Sequence, residues 1–275
     1  MSSTSRYSNP EMLVETDWLE EHLIDSNIRI VDCDLPEAYY RVHIPGAVTV
    51  PDHYYKNPDT GRLVVMNDKQ IGALMSSIGV DNETLVIGYD SRGGVYSSRL
   101  WWVLNYYGHT NVKVLNGGWK KWLKEQKPLT DETPNVDAKV FLPKAARRDM
   151  LATRQDVFDR IGAEDCIIWD VRSPEEYVGG ETRGNQRIGH IKGAINVEWS
   201  EAVNEEGVFK NASELREIMK VIGITQKKSV ITHCQAGIRA AHAAFVLNLM
   251  GHSNVKNYDG SWGEWGNRSD TPIEK

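Results

Sequence analysis

Two stretches of this chain, 143 residues apart, are near copies of one another. VLNYYGHTNVKVLNGGWKKW (103–122) aligns without gaps with VLNLMGHSNVKNYDGSWGEW (246–265), sharing VLN, GH, NVK, one Gly and both Trp positions. Upstream, LVIGYD (85–90) matches SVITHC (229–234), and SIGV (77–80) matches VIGI (221–224), both at an offset of 144. Further back, IVDCD (30–34) echoes IWDVR (168–172), and VHIPGAVTV (42–50) echoes GHIKGAINV (189–197). Solenoid repeats recur every ~20–50 residues, so a period this long means duplicated domains. A chain of 275 residues lets each copy bury its own core. The repeat places a first domain at 1–130, a linker at 131–151 and a second domain at 152–275.

Each copy reads as strands alternating with helices. In the second, CIIWDV is a short apolar run flanked by turn residues, hence a buried strand, and KSVITH is another. ASELREIMKVIG has Ser213 as the expected N-cap, Leu, Ile and Met at helical spacing, and a terminating Gly. RAAHAAFVLNLMG is apolar nearly all round, which predicts a buried helix. NVKNY is a short strand and SWGEW a last helical turn. This alternation predicts an α/β fold in which each domain is a mostly parallel sheet with helices on both faces. Residues 129–151 carry two prolines and no periodicity; Val140, Phe141 and Leu142 predict that this linker packs along the surface.

One cysteine stands out against this frame. Cys234 lies where the strand KSVITH stops and the helix RAAHAAF begins, in the loop CQAGIR. In open parallel sheets, ligands bind beyond the carboxyl ends of the strands. Gly237 permits a tight curl whose N–H groups form an anion-binding nest, and the helix start adds its positive end. A thiol in that setting is expected to ionise readily and act as a nucleophile. Arg239 falls in the first helical turn, where the dipole disfavours a cation, so an anion is expected beside it: the thiolate, a carboxylate or a substrate. The first copy has Asp90 at the position of Cys234, and a carboxylate cannot accept a sulfur atom. Only the second copy therefore reads as active. Cys33 and Cys166 read as apolar residues at strand ends.

Other function classes fit poorly. A net charge of -6 argues against general nucleic-acid binding. No stretch is apolar for long enough to span a membrane, and the first residues, MSSTSRYSNPEMLVETDW, carry no signal-peptide pattern. Three cysteines far apart, without a CxxC, offer neither a disulfide framework nor a metal site and fit a reducing cytoplasm. Protein phosphatases and arsenate reductases of the Cys-Arg type place five residues between cysteine and arginine. Here there are four, a loop better sized for sulfur than for a phosphoryl group.

Taken together, the paired strand aspartates Asp32 and Asp170, the HIxGA element in both halves, the cysteine loop and YDGSWGEW occur in one order. In this the chain resembles the tandem rhodanese family, the thiosulfate and mercaptopyruvate sulfurtransferases, from about TDWLEEHL to DGSWGEW. The resemblance implies two rhodanese-like domains, the first inactive and the second catalytic. It also implies sulfur transfer through a Cys234 persulfide, with the N–H groups of Gln235, Ala236, Gly237, Ile238 and Arg239 cradling the outer sulfur. The resemblance implies no cofactor or metal, and as partners a small sulfur donor and an acceptor such as cyanide or a thiol. Asp170 matches the family's strand aspartate and would fix the site by hydrogen bonding or cap a local turn. Arg172, on the same side of an extended chain, would meet an anionic donor or pair with Glu175 or Glu176. His190, like His43, and Trp119, Trp122, Trp262 and Trp265 recur in both halves and read as structural.

Some thiosulfate enzymes of the family carry basic residues where this chain has Ala236 and Glu176, which leaves Arg239 as the main loop cation. An arginine-ended loop suits thiosulfate, and thiosulfate is the expected donor. The alternatives are mercaptopyruvate, or a persulfide carrier serving a protein acceptor. Segment 179–187 is nine residues longer than its counterpart, and its Arg183 and Arg187 would steer an anionic donor or lie in a solvated surface loop. A monomer is the default, because two domains can enclose such a site.

Overall fold

The sequence repeat returns as a repeated strand order. The computed structural model describes residues 6–50 and 64–275. The first five residues, on which the absence of a leader pattern partly rested, lie outside the described ones. The chain divides into two units. In the first unit, strands β1 (Leu13–Val14), β2 (Ile28–Asp32), β3 (Val48–Thr49), β4 (Leu85–Tyr89) and β5 (Val112–Leu115) lie in the order β1-β5-β4-β2-β3. In the second, β6 (Leu151–Ala152), β7 (Cys166–Asp170), β9 (Ile195–Asn196), β10 (Ser229–His233) and β11 (Val255–Tyr258) repeat that order as β6-β11-β10-β7-β9. Every pairing within these two sheets is parallel. A small antiparallel pair, β8 (His190–Ile191) with β12 (Ile273–Glu274), adds to the second unit.

Alternating side chains explain why helices cover both faces. In β4, Ile87 and Tyr89 join a core with Leu19 of helix α1 (Thr16–Glu21) and Trp122 of α5 (Gly118–Lys124). On the opposite face Gly88 lets α4 (Val95–Tyr106) come close: a Cβ there would sit 3.2 Å from both Leu100 and Ser97 side-chain carbons. The second unit repeats the scheme. Ile168 of β7 and Ile231 of β10 pack with Val157 of α6 (Arg154–Arg160) and with Trp262 and Trp265 of α10 (Ser261–Trp265). Thr232 turns to the other face and donates a hydrogen bond to the Ala240 carbonyl of α9 (Ile238–Leu249) at 3.0 Å. Trp122, Trp262 and Trp265 are buried and Trp119 packs against the first core.

Three details depart from the expected boundaries. The helix α8 (Ala212–Ile222) is capped by Asn211 rather than Ser213: Asn211 Oδ1 accepts from Ser213 and Glu214 N–H, and Glu214 answers by accepting from the Asn211 N–H. Asn and Ser cap about equally well, so propensity alone does not choose between neighbours. Leu151, placed in the linker, instead opens β6. Residues Val203–Phe209, placed in the second domain, belong to the first unit, where Phe209 N–H donates to Asn116 and Lys124 pairs with Glu206. The stretch before Arg148 runs along the first unit, with Lys139, Lys144 and Arg147 N–H bonded to the Ser76, Tyr107 and Tyr106 carbonyls. Phe141 is buried there, while Val140 and Leu142 are exposed. No described helix is long and apolar enough to cross a membrane.

Candidate active site

Strands β7 and β10 end in register, with Asp170 opposite His233, so the chain leaves β10 at Cys234. From there it curls through Gln235 and Ala236 to Gly237, whose φ of 77° turns it into α9. That angle favours glycine, and space enforces the choice: a Cβ would lie 2.3 Å from Asp259 Oδ1. No side chain caps α9. Its first-turn N–H groups, those of Ile238 and Arg239, have no preceding carbonyl to bond. Cys234 is 1% exposed and Gly237 is buried, while Gln235, Ala236, Ile238 and Arg239 are partly open.

A residue absent from the sequence reading holds this curl. Ser261 Oγ accepts from both Cys234 N–H and Gly237 N–H at 3.1 Å and donates to the Tyr258 carbonyl at 2.7 Å. One donor and two acceptor sites are then all used. Cys234 Sγ stands 4.0 Å away, long even for sulfur. Ser261 adopts φ 51°, a left-handed conformation that costs a side-chain-bearing residue about 1–2 kcal/mol. Its repeat partner is Gly118, at φ 49°. A serine at a position where the other copy has glycine was the available signal.

The first unit shows what replaces a cysteine. Trp119 N–H donates to the Asp90 carbonyl at 2.9 Å, as Trp262 N–H does to that of Cys234 at the same distance. The Asp90 carboxylate then takes the loop for itself, accepting from the N–H groups of Arg92, Gly94, Tyr96 and Ser97 and from the Ser97 hydroxyl. The change of repeat offset falls here: three residues separate Asp90 from Gly94, but two separate Cys234 from Gly237. In the first unit an internal carboxylate occupies the nest.

The charged residues around Cys234 sort differently from expectation. Arg172 does not pair with Glu175 or Glu176. Its Nε and Nη2 donate to both Asp170 oxygens at 2.6–3.0 Å, Nη2 also reaches the Gly189 carbonyl, and the guanidinium lies 4.6 Å from the Trp262 ring centroid. At 1% exposure it is committed to the strand end, which corrects its assignment to the donor. Asp170 is fully buried, and its carboxylate holds Arg172 twice over, accepting from the guanidinium and from the Arg172 backbone N–H. His233 Nε2 lies 3.6 Å from Asp170 Oδ2, yet burial pulls the imidazole down to about 4 and keeps it neutral.

Arg239 does have an anion beside it, and it is a carboxylate. Its Nη1 and Nη2 donate to Glu176 at 2.6 and 2.9 Å. Burial disfavours that charge on both partners, but the pairing outweighs it: Glu176 is held down at about 2, and Arg239 is raised. Segment 179–187 also reaches this cluster, through Arg183 Nε at 3.0 Å from Glu176 Oε1. Asn185 and Gln235 exchange amide hydrogen bonds at 3.1 and 3.2 Å. Arg187 is pinned to the Trp265 and Thr271 carbonyls and the Thr271 hydroxyl, so it anchors the segment rather than steering a donor.

The remaining repeated residues are scaffold. His43 stacks on Tyr39 with centroids 3.9 Å apart, and His190 stacks on Tyr177 at 3.7 Å. Burial, with nearby Asp90, Asp32 and Asp34, pushes the Cys33 thiol well up, and burial also raises Cys166, which starts its strand at the opposite end from Cys234. Neither is favoured as a thiolate. Among the described residues, no group of three His, Cys, Asp or Glu is disposed to hold a metal ion.

Comparison with known proteins bears on the family and the fold. Residues 15–125 and 153–268 each match the family model described as a rhodanese-like domain. The "Sulfur carrier protein TtuD" of Thermus thermophilus is 37% identical over 283 residues, covering 98% of this chain and 98% of that one. A "Putative thiosulfate sulfurtransferase" of Saccharopolyspora erythraea is 38% identical over 276 residues, covering 97% of each. The structure of the anaerobic ergothioneine biosynthesis enzyme from Chlorobium limicola, bound to trimethyl histidine, is similar with a TM-score of 0.85 at 24% identity, covering 98% of this chain and 71% of the other. At that identity the likeness concerns the fold.

Proposed function

The chain belongs to the rhodanese-like family, and from that membership we propose that it transfers sulfane sulfur through a persulfide on Cys234, with thiosulfate as donor. The observation that carries the reading is the placement of Cys234 itself. It is a thiol at the carboxyl end of a central parallel strand, in a loop curled on Gly237 and leading into an uncapped helix start. The relatives' names, "Putative thiosulfate sulfurtransferase" and "Sulfur carrier protein TtuD", support sulfur transfer as the general chemistry.

In the first half-reaction the Cys234 thiolate attacks the outer sulfur of thiosulfate. A Cys–S–S bond forms, the bond to the sulfonate sulfur breaks, and sulfite leaves with its electron pair. In the second, cyanide or a thiolate attacks the outer sulfur and the S–S electrons return to Cys234. The two steps balance without an external oxidant or reductant, a ping-pong cycle of covalent catalysis. Backbone N–H groups of Gln235, Ala236, Ile238 and Arg239 are assigned to the bound persulfide, since a curled loop and a helix start both favour an anion; the Gly237 N–H, expected to join them, is instead spent on Ser261 Oγ. Ser261 keeps the curl, and Asp170 with Arg172 fixes the strand end beneath it.

A second reading follows from the carrier relative, in which the same persulfide is passed to a protein acceptor. Steady-state turnover of purified protein with thiosulfate and cyanide separates the possibilities. Thiosulfate turnover with parallel double-reciprocal lines supports the proposal. Turnover with mercaptopyruvate alone would replace the donor, and loading without discharge to any small acceptor would favour the carrier.

A further inference from the structure

We infer that Glu176 sets the charge selectivity of the Cys234 site: it occupies Arg239 in a bidentate pair, so a dianionic sulfur donor must compete with a built-in carboxylate. The inference rests on the sulfur-transfer reading above and adds which donors the site admits readily.

Glu176 is the N3 residue of helix α7 (Pro174–Val178), which the Ser173 capping box starts. Its N–H donates to Ser173 Oγ, and its Oε2 accepts from the Ser173 N–H and hydroxyl. Backbone and cap therefore set the carboxylate independently of the arginines. Oε2 takes Arg239 Nη1, while Oε1 takes Arg239 Nη2 and Arg183 Nε. At 1% exposure Glu176 is shut off from solvent, so salt screens this pair weakly. Arg183 is in turn shared with Glu181 at 3.2 Å. Two cations thus face two carboxylates, and the cluster beside the cysteine loop is electrically balanced.

The consequence differs between donors. Thiosulfate carries two negative charges, and drawing Arg239 toward it means loosening charge-assisted bonds already made at 2.6 and 2.9 Å. A monoanionic donor such as mercaptopyruvate asks less of the arginine. Glu176 acts here through Arg239, as a positioning residue. Arg183 acts in the opposite sense, because its charge partly satisfies the same carboxylate. This also gives segment 179–187 a part in the site.

The two residues make opposite predictions, which a merely structural ion pair would not. The readout is kcat/KM for thiosulfate and for mercaptopyruvate with cyanide as acceptor, alongside thermal melts and mass measurement of the Cys234 adduct. Glu176→Gln should raise thiosulfate kcat/KM about tenfold relative to mercaptopyruvate, mainly through KM, since a charge-assisted hydrogen bond freed for the donor corresponds to about one decade or more. Arg183→Gln should lower the same ratio about two- to threefold, the scale of one part-exposed charge. A fall in both variants, or an unchanged ratio, overturns the inference while leaving Cys234 loading by wild-type protein intact. Absence of any adduct in wild-type protein would instead overturn the sulfur-transfer reading. If Glu176→Gln does not fold, Arg183→Gln decides alone: its side chain is 46% exposed, and an unchanged or increased ratio there refutes the charge assignment.

Discussion

Replacing Ser261 by Gly and by Ala separates what its backbone costs from what its hydroxyl holds. The hydroxyl makes three hydrogen bonds, to Cys234 N–H, Gly237 N–H and the Tyr258 carbonyl. At about 1 kcal/mol net each, Ser261→Ala should lose ~3 kcal/mol of stability. It keeps the left-handed strain at φ 51°. Ser261→Gly removes that strain, worth about 1–2 kcal/mol, at an unfolded-state cost of about 0.5–1 kcal/mol. Glycine should therefore be the more stable of the two variants, against the usual order for these residues. Sulfur loading should fall in both, because neither fixes the amides of the curl. A loss of about 1.4–3 kcal/mol at the transition state corresponds to one to two decades in the rate of persulfide formation. Thermal or denaturant melts give the first quantity, and time-resolved mass measurement after thiosulfate addition gives the second. Wild-type loading rates in either variant, or an alanine variant more stable than the glycine one, would refute the role assigned to Ser261.

Other perturbations test the first unit. Asp90→Ala strands the buried N–H groups of Gly94 and Ser97, so it should cost several kcal/mol at about 1–3 kcal/mol per buried unsatisfied group, while Cys234 in folded protein still loads sulfur. A loss of loading with the fold intact would mean that Asp90 takes part in catalysis. Asp34 is pushed up to about 7 by burial and by the neighbouring Asp90 and Asp32 charges. A raised carboxyl lowers stability as pH climbs from its ordinary value near 3.8 through about 7, so Asp34→Asn should stabilise the protein at pH 8 and give no gain at pH 4. Equal melting shifts at both pH values would contradict this.

How far the sequence carried is clearest residue by residue. The duplicated, mostly parallel sheets were legible because the repeat and the apolar runs are local signals, whereas the strand order common to both sheets was not read from them. Cys234 was legible because a strand end, a glycine and a helix start adjoin in the sequence. Arg239 announced that an anion would be near, but its partner Glu176 lies 63 residues away, and no spacing rule links them. Ser261 was hidden because its role depends on a left-handed φ that serine seldom adopts. Arg172 was misread for the opposite reason: its partner Asp170 is only two residues away, and an anionic donor looked like the better match. The segment Val203–Phe209 joins the first unit through contacts such as Phe209 with Asn116, 93 residues distant.

Under the proposed function, sulfur resides on one particular cysteine, Cys234. Incubating the protein with thiosulfate, removing excess donor and mapping its peptides by mass under non-reducing conditions tests this directly. The predicted result is an added mass of about 32 Da, one sulfur atom held as a covalent intermediate, on the peptide containing Cys234, and removed by cyanide. An adduct on Cys33 or Cys166 instead, or none on Cys234, would refute sulfur transfer through Cys234.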